Sequence, residues 1–447
     1  MSTTDVIAAA DDLASRIGSA QVQVPDSAPL IWNAAVQRRP AVIVRPDSPR
    51  DVQEAVRVAR DRGLRLSVLG GGHDWVGRAV CDGGLVIDMS GMRSVTVDTS
   101  ARVATVGGGV LAAELIDAVA PYGLVAATGI CGGVGMTGLT LGGGYGPLNG
   151  RFGLALDNLL GAEVVLADGR IVTADATHEA ELFWALRGGG GNFGVVTSMR
   201  VRLHPLDRLI GGMIVYPWSQ GATVWRGISE VVSTAPDELT VESGVMSGPD
   251  GNPAVYVVPA WSGDHRCGQA AVDALATLGT PLITQIGPIT YGEVLGLFDV
   301  GYVPGLALEV RTRTVAAYTP EVVDALVEAA RTLTSPRSVI PIHPCHGAST
   351  RVAPDQTAFG IRRPHFVVEI VAGWEDGDSV RHRAWADAVS AALAPHALPG
   401  GYANLLRPDD HDQIANAYGE NAIRLVTAKK HYDPDGVFTA IPLPGVC

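Results

Sequence analysis

Lysine is nearly missing from this chain. Among 447 residues the basic count is 33, and only Lys429 and Lys430 are lysines; arginine supplies the rest. The acidic count is 46, which gives a formal net charge of −13. An acidic chain has no electrostatic reason to seek nucleic acid or an anionic membrane, so neither is expected as a partner. No uncharged apolar stretch approaches the roughly 20 residues of a membrane span. The N-terminal MSTTDVIAAADDLASRIG has neither a basic n-region nor a long apolar core. No signal peptide is therefore expected, and the expected location is the cytoplasm. Cysteine is sparse: Cys81, Cys131, Cys267, Cys345 and Cys447. An odd, widely spaced set does not read as a disulfide framework.

Several catalytic signatures are also missing. No G-x-S-x-G occurs, so no hydrolase nucleophile elbow is expected. No G-K-[ST], H-E-x-x-H or C-x-x-C occurs either. The run IHPCHG gathers His343, Cys345 and His346, yet it reads as packing or loop polarity, and no metal is expected. Two G-x-G-x-x-G matches exist, Gly133-Gly135-Gly138 and Gly189-Gly191-Gly194. The dinucleotide turn needs strand, turn and helix. The first match runs into TLGGGYGPLNG, too rich in glycine to propagate a helix, and the second into the strand-like VVTSMRV. An NAD-dependent dehydrogenase is accordingly a weak reading.

What the chain does have is glycine, 55 of them, and 47% apolar residues. Glycine clusters fall at 70–72, 107–109, 132–133, 142–144 and 188–191, all in the first 200 residues. Bare backbone lets N–H groups approach a phosphate or a flat ring, so the clusters imply a long ligand cradled by main chain. SPRDVQEAVRVARDRG is a helix capped by Ser48, and VLAAELIDAVAPYG is a second. Strands are expected in LRLSVL, LVIDM, SVTVD, RVATVG and VVTSMRVRLHP, with AEVVLADGRIVTA a hairpin turning at Asp168–Gly169. After Pro205 the clusters stop. Alternating runs (MIVYPW, ELTVESGVM, AVYVVPAW, HFVVEIVAGW) then interleave with helices near 221–233, 269–278, 320–333 and 379–393. The fold class is α+β, with an antiparallel sheet covered by helices in the second half.

Five motifs occur in order: GGGHD at 70–74, Cys131-Gly-Gly-Val-Gly, GGGYGPLNGRFGLALDNLLGAEVVLADG, ELFWALRGGGGNFGVVT and NAYGENAIRLVTAKKHYDPDGVF. Together they resemble the flavin-linked oxidases of the berberine bridge enzyme type, within the vanillyl-alcohol oxidase superfamily. The likeness covers about residues 35–210 and 400–440. It implies a bilobal PCMH-type FAD-binding domain made of residues 1–207 and completed by 400–447, with a substrate domain over 208–399. It also implies bicovalent FAD, held by His73 at the flavin 8α-methyl and Cys131 at C6. Imidazole and thiolate are the side-chain nucleophiles suited to an electron-poor ring. Further FAD contacts are expected from Leu69, Gly70, Gly71, Gly72, Asp74, Gly77, Gly129, Gly132, Val134, Gly135, Gly138, Gly142, Gly143, Tyr145, Asn149, Asp157, Val196, Tyr418 and Asn421. Val134 is similar to the gatekeeper valine of members that react well with oxygen.

The family's proton acceptor is not reproduced. The plant alkaloid enzyme uses a glutamate, and the corresponding HGASTRVAPDQTAF offers Arg351 instead. Other members use the last tyrosine of a Tyr-x-Asn-Tyr strand, which here reads Tyr402-Ala-Asn404-Leu405. Tyr402, Tyr302 and Glu369 remain as catalytic candidates, with Tyr256 behind them. The expected protein is an FAD-dependent oxidase, monomeric or homodimeric. It would move a hydride from a small, partly aromatic alcohol, amine or hydroquinone to flavin, reduce O2 to H2O2, and serve bacterial secondary metabolism or drug resistance. The alternative is an FAD-retaining drug-binding protein with little turnover.

Overall fold

The computed structural model describes residues 3–29, 31–299, 305–375 and 377–445; Tyr302 and Cys447 lie outside them. Three sheets organise these residues. The smallest has four strands in the order Val22–Gln23, Val42–Val44, Leu85–Asp88, Leu66–Leu69, and the last three run parallel. The helix Pro49–Asp61 connects two of them. Ser48 Oγ accepts from Asp51 N–H and the Asp51 carboxylate accepts from Ser48 N–H, a reciprocal cap. Val52, Ala55, Val56 and Ala59 then bury one face against Val42, Val44, Leu85 and Ile87. The first glycine loop leaves the carboxyl end of Leu66–Leu69, where ligands gather in sheets with parallel strands.

The second sheet pairs Val95–Asp98, Val103–Gly107, Val195–Pro205, Leu159–Val165 and Ile171–Asp175 antiparallel, with Leu124–Ala126 also on Val195–Pro205. The hairpin turns at Gly169, φ +82°. The third sheet has seven antiparallel strands in the order Ile283–Ile289, Leu209–Pro217, Pro253–Trp261, Leu239–Ser247, Ile340–Cys345, His365–Trp374, Ala307–Val315. Helices Gly221–Ser233, His265–Ala276, Pro320–Arg331 and Ser379–Leu393 cover one face. Val241, Ile342, Val368 and Ile370 point into that covered core. Side chains alternate along a strand, so Glu242, His343 and Glu369 point to the opposite face.

Two local expectations are corrected. The first G-x-G-x-x-G does open a helix, Met136–Gly142. Its Met136 and Leu141 are buried in the main core, and that burial outweighs the low helix propensity of glycine. Tyr402-Ala-Asn404-Leu405 is not a strand. Ala403–Leu405 is a 3-10 turn closed by Leu405 N–H on Tyr402 O, and it turns both Tyr402 and Leu405 toward one cavity.

Candidate functional site

A cavity of about 310 Å³ opens between the glycine loops and the bare face of the seven-stranded sheet. Gly70–Gly72, Gly129, Gly135 and Gly138 form its main-chain wall, joined by Gly190, Gly191 and Gly194 from the later cluster. The C-terminal stretch Phe438–Ile441 closes one side. Gly70 and Gly138 have nothing within 4 Å of where a side chain would begin, so bare backbone faces open space there.

Gly71 serves a different purpose. A β-carbon on it would lie 2.3 Å from Gly135 N and 2.9 Å from Gly133 O. The two cofactor-side loops therefore meet main chain to main chain. Gly71→Ala should destabilise the fold by about 1–3 kcal/mol, the usual range for overpacking, because no rotamer change relieves a clash with backbone. Thermal unfolding and the flavin-to-protein ratio should both fall; wild-type values for both would contradict the contact.

His73 and Cys131 lie on opposite loops and come to the same place. A β-carbon on Gly133 would be 3.0 Å from His73 Nε2 and 4.0 Å from Cys131 Sγ. His73 stacks on Trp32, centroids 5.6 Å apart at 16°. Burial lowers its pKa to about 4, against a smaller upward pull from Asp299, so the imidazole is neutral at pH 7 and keeps a nucleophilic lone pair. Burial, then the Asp299 carboxylate, pushes the Cys131 thiol well up. Asp74 holds Arg78 through Nη2 at 2.6 Å and Nε at 3.0 Å, and Arg78 Nη2 also donates to Asn404 O at 3.0 Å. Arg78 Nη1 is buried without a hydrogen-bond partner. Bare main chain, two nucleophiles on one spot and an incompletely satisfied guanidinium fit a flavin dinucleotide.

Across the cavity stands a carboxylate–imidazole–carboxylate row. Glu242 Oε2 lies 2.9 Å from His343 Nδ1, and Glu369 Oε2 lies 3.3 Å from His343 Nε2. All three are buried, and His343 and Glu369 line the cavity. Burial disfavours the His343 cation, yet the two carboxylates outweigh it and raise the pKa to about 10. Tyr402 OH accepts from Gly144 N–H at 3.1 Å and from Asn404 Nδ2 at 2.9 Å. Burial pushes Tyr402 up to about 12, so it keeps its proton. With its oxygen accepting twice, its own O–H is left to donate.

Of the sequence candidates, the cavity wall brings together Gly70, Gly71, Gly72, His73, Asp74, Gly129, Cys131, Val134, Gly135, Gly138, Tyr145, Val196, Glu369 and Tyr402. The others stand elsewhere. Leu69 packs with Ile31 and Val86, and Gly77 against Val36. Gly132 N–H donates to Asp299, while Gly142 and Gly143 pack under Asn404 and Tyr402. Asn149 donates to Pro344 O, Asp157 pairs with the buried Arg362, Tyr418 donates to Pro442 O, and Asn421 donates to Pro354 O and Thr357 O. These four residues brace the loops rather than wall the cavity. Tyr256 reaches over Gly244 on the same face of the sheet as Glu242 and Glu369, but it is not part of the cavity wall. Arg351 is exposed and paired with Asp237. Sequence reasoning missed Glu242, His343, Arg78 and Asn404. The available sign was a glutamate in the middle of each of two strand-like runs, ELTVESGVM and HFVVEIVAGW.

Among the described residues no helix is long and apolar enough to cross a membrane. The family profile described as FAD binding domain matches residues 40–175, and the one described as berberine and berberine like matches residues 401–441. The chain is 38% identical to (R)-6-hydroxynicotine oxidase of Paenarthrobacter nicotinovorans over 272 residues, 60% of this chain and 59% of that protein. It is 30% identical to the FAD-linked oxidoreductase aurO of Gibberella zeae over 416 residues, 91% of this chain and 81% of that one. The solved structure of 6-hydroxy-D-nicotine oxidase from Arthrobacter nicotinovorans superposes with a TM-score of 0.83 at 28% identity, covering 94% and 96% of the two chains. A berberine bridge enzyme variant in complex with (S)-reticuline shares the fold, with a TM-score of 0.86 at 19% identity over 98% and 99%. The chain belongs to the berberine bridge enzyme-like family of FAD-linked oxidoreductases.

Proposed function

We propose that this chain carries FAD on two covalent bonds, from His73 and Cys131, and oxidises a small, partly aromatic amine, alcohol or hydroquinone with dioxygen as the final acceptor. The observation that carries the reading is the meeting of His73 and Cys131 at Gly133. The nicotine-type name of one relative supports a small nitrogen heterocycle within that class. Bound FAD supplies the hydride acceptor. Glu369 takes the proton from the N–H or O–H of an amine or alcohol as the neighbouring C–H bond breaks, or one of the two O–H protons of a hydroquinone. The His343 imidazolium stands between Glu369 and Glu242 and keeps the two carboxylates from repelling each other. Tyr402 O–H orients the substrate's polar atom. Val134, in the cavity wall, leaves oxygen room to approach.

This arrangement carries a pH signature. His343 has a folded pKa raised from 6.5 to about 10. Its stabilising contribution is full below about 6.5 and is lost as pH rises through about 10. Flavin reduction should therefore stay level from about pH 7 to 9 and fall on passing about 10. In His343→Gln that fall should vanish; a persisting fall would place the titration elsewhere. The function itself is tested by anaerobic mixing with secondary amines, benzylic alcohols and hydroquinones, followed by air. Bleaching of the flavin and then release of hydrogen peroxide is the expected result. Tight binding without bleaching by any donor would favour a drug-retaining protein instead.

A further inference from the structure

Asp299 ends the helix Tyr291–Asp299, which follows the strand Ile283–Ile289 in the chain. A carboxylate there faces the partial negative charge of the last helical carbonyls, so the helix alone does not favour it. The Cys131 loop holds it in place. Asp299 Oδ1 accepts from Gly132 N–H at 2.8 Å, and a β-carbon on Gly132 would lie 2.9 Å from Oδ2. Cys131 immediately precedes Gly132 in the chain, so its thiol lies under the influence of the same carboxylate. His73, the other nucleophile, feels the same negative charge. Nothing in hydride transfer from a substrate uses this aspartate.

We infer that Asp299 is the proton acceptor for Cys131 while its sulfur bonds to the flavin ring, an inference that rests on the bicovalent reading. The balance is simple. The Cys131 S–H bond and one ring C–H bond break, and one S–C bond forms. Both hydrogens leave as protons, the first of them to Asp299. The two electrons pass to dioxygen, which with two protons becomes hydrogen peroxide. Until flavin arrives, the same carboxylate keeps Cys131 as a thiol, because a neighbouring negative charge disfavours the thiolate. His73 needs no such partner, since its imidazole is already neutral.

The two roles of Asp299 pull in opposite directions, and that makes the inference testable. Full-length protein is made in riboflavin-starved cells and then given FAD. The Cys131 and His73 peptides are followed by mass spectrometry. A parallel sample without FAD is labelled with iodoacetamide at pH 8. In Asp299→Asn the Cys131–flavin link should form at least about ten-fold more slowly, the His73 link should form as in wild type, and iodoacetamide labelling of Cys131 should rise. The intact His73 link reports that the variant folds and binds FAD. Attachment to Cys131 at the wild-type rate would overturn the role of Asp299. A joint fall of attachment and labelling would reduce it to loop support and overturn it equally. A wild-type Cys131 peptide without flavin would sink the bicovalent reading itself, and this inference with it.

Discussion

Glu369→Gln should slow flavin reduction by about 10²–10⁴-fold, the range that a positioned proton acceptor supplies. The substitution keeps the side chain's size and removes only its ability to take a proton. Glu369 is buried midway along the strand His365–Trp374, between Ile340–Cys345 and the edge strand Ala307–Val315, and it lines the same cavity as Cys131 and His73. Val368 and Ile370 on either side of it fill the helix-covered core, so the backbone leaves the carboxylate no other direction. Tyr402 cannot take over, because burial holds its pKa at about 12 and its oxygen already accepts from Gly144 and Asn404. The flavin content should be unchanged, since Glu369 stands across the cavity from the attachment loops. Stopped-flow reduction under argon measures the effect. A rate within about three-fold of wild type would remove Glu369 from the chemistry, because proton transfer is worth far more than that.

Lys429→Met should cost about 3–5 kcal/mol of stability, the penalty for breaking a buried ion pair on one side. Lys429 Nζ donates to Asp433 Oδ2 at 2.5 Å, Phe438 O at 2.6 Å and Asn192 O at 2.7 Å. Both ions are buried, at 4% and 2% exposure. Asp433 in turn accepts from Val437 N–H at 2.9 Å and Phe438 N–H at 2.8 Å. One ammonium thus ties the C-terminal stretch that lines the cavity to the loop carrying Gly190 and Gly191. Methionine fills the space but leaves a carboxylate and two carbonyls without their donor. Unfolding in urea should shift to lower concentration, and the flavin-to-protein ratio should fall with it. Adding Asp433→Leu should recover only part of the loss, because two backbone N–H groups then lose their acceptor. A Lys429→Met protein with wild-type stability would show that the pair is not structural.

How much of this was legible in the sequence depended on whether local chemistry or distant contacts set each element. The helix Pro49–Asp61 was readable because Ser48, Pro49 and Asp51 cap it locally and its apolar residues keep one face. The hairpin at Asp168–Gly169 was readable for the same local reason. Ile340–Cys345 was not. It carries Pro341 and Pro344, which lack an N–H and normally argue against a central strand. Here its pairing with Leu239–Ser247 spans only Ile340–Ile342, so Pro344 interrupts no ladder on that side. That hidden strand placed His343 between Glu242 and Glu369, 101 and 26 positions away in sequence. No local pattern announces a row drawn from three strands. The turn at Tyr402–Leu405 was misread because hydrogen bonds to Tyr402 OH from Gly144 and Asn404 shape it, and the first of these partners is remote. The likeness in glycine and cysteine motifs supplied His73 and Cys131. The fold brings both side chains to Gly133.

The bicovalent flavin is tested most directly by denaturing the purified protein in acid. The yellow colour should stay with the precipitate in wild type and in His73→Ala and Cys131→Ala, each of which keeps one bond. It should leave with the supernatant only in the double variant. Free FAD in the supernatant of the wild-type protein would contradict the account.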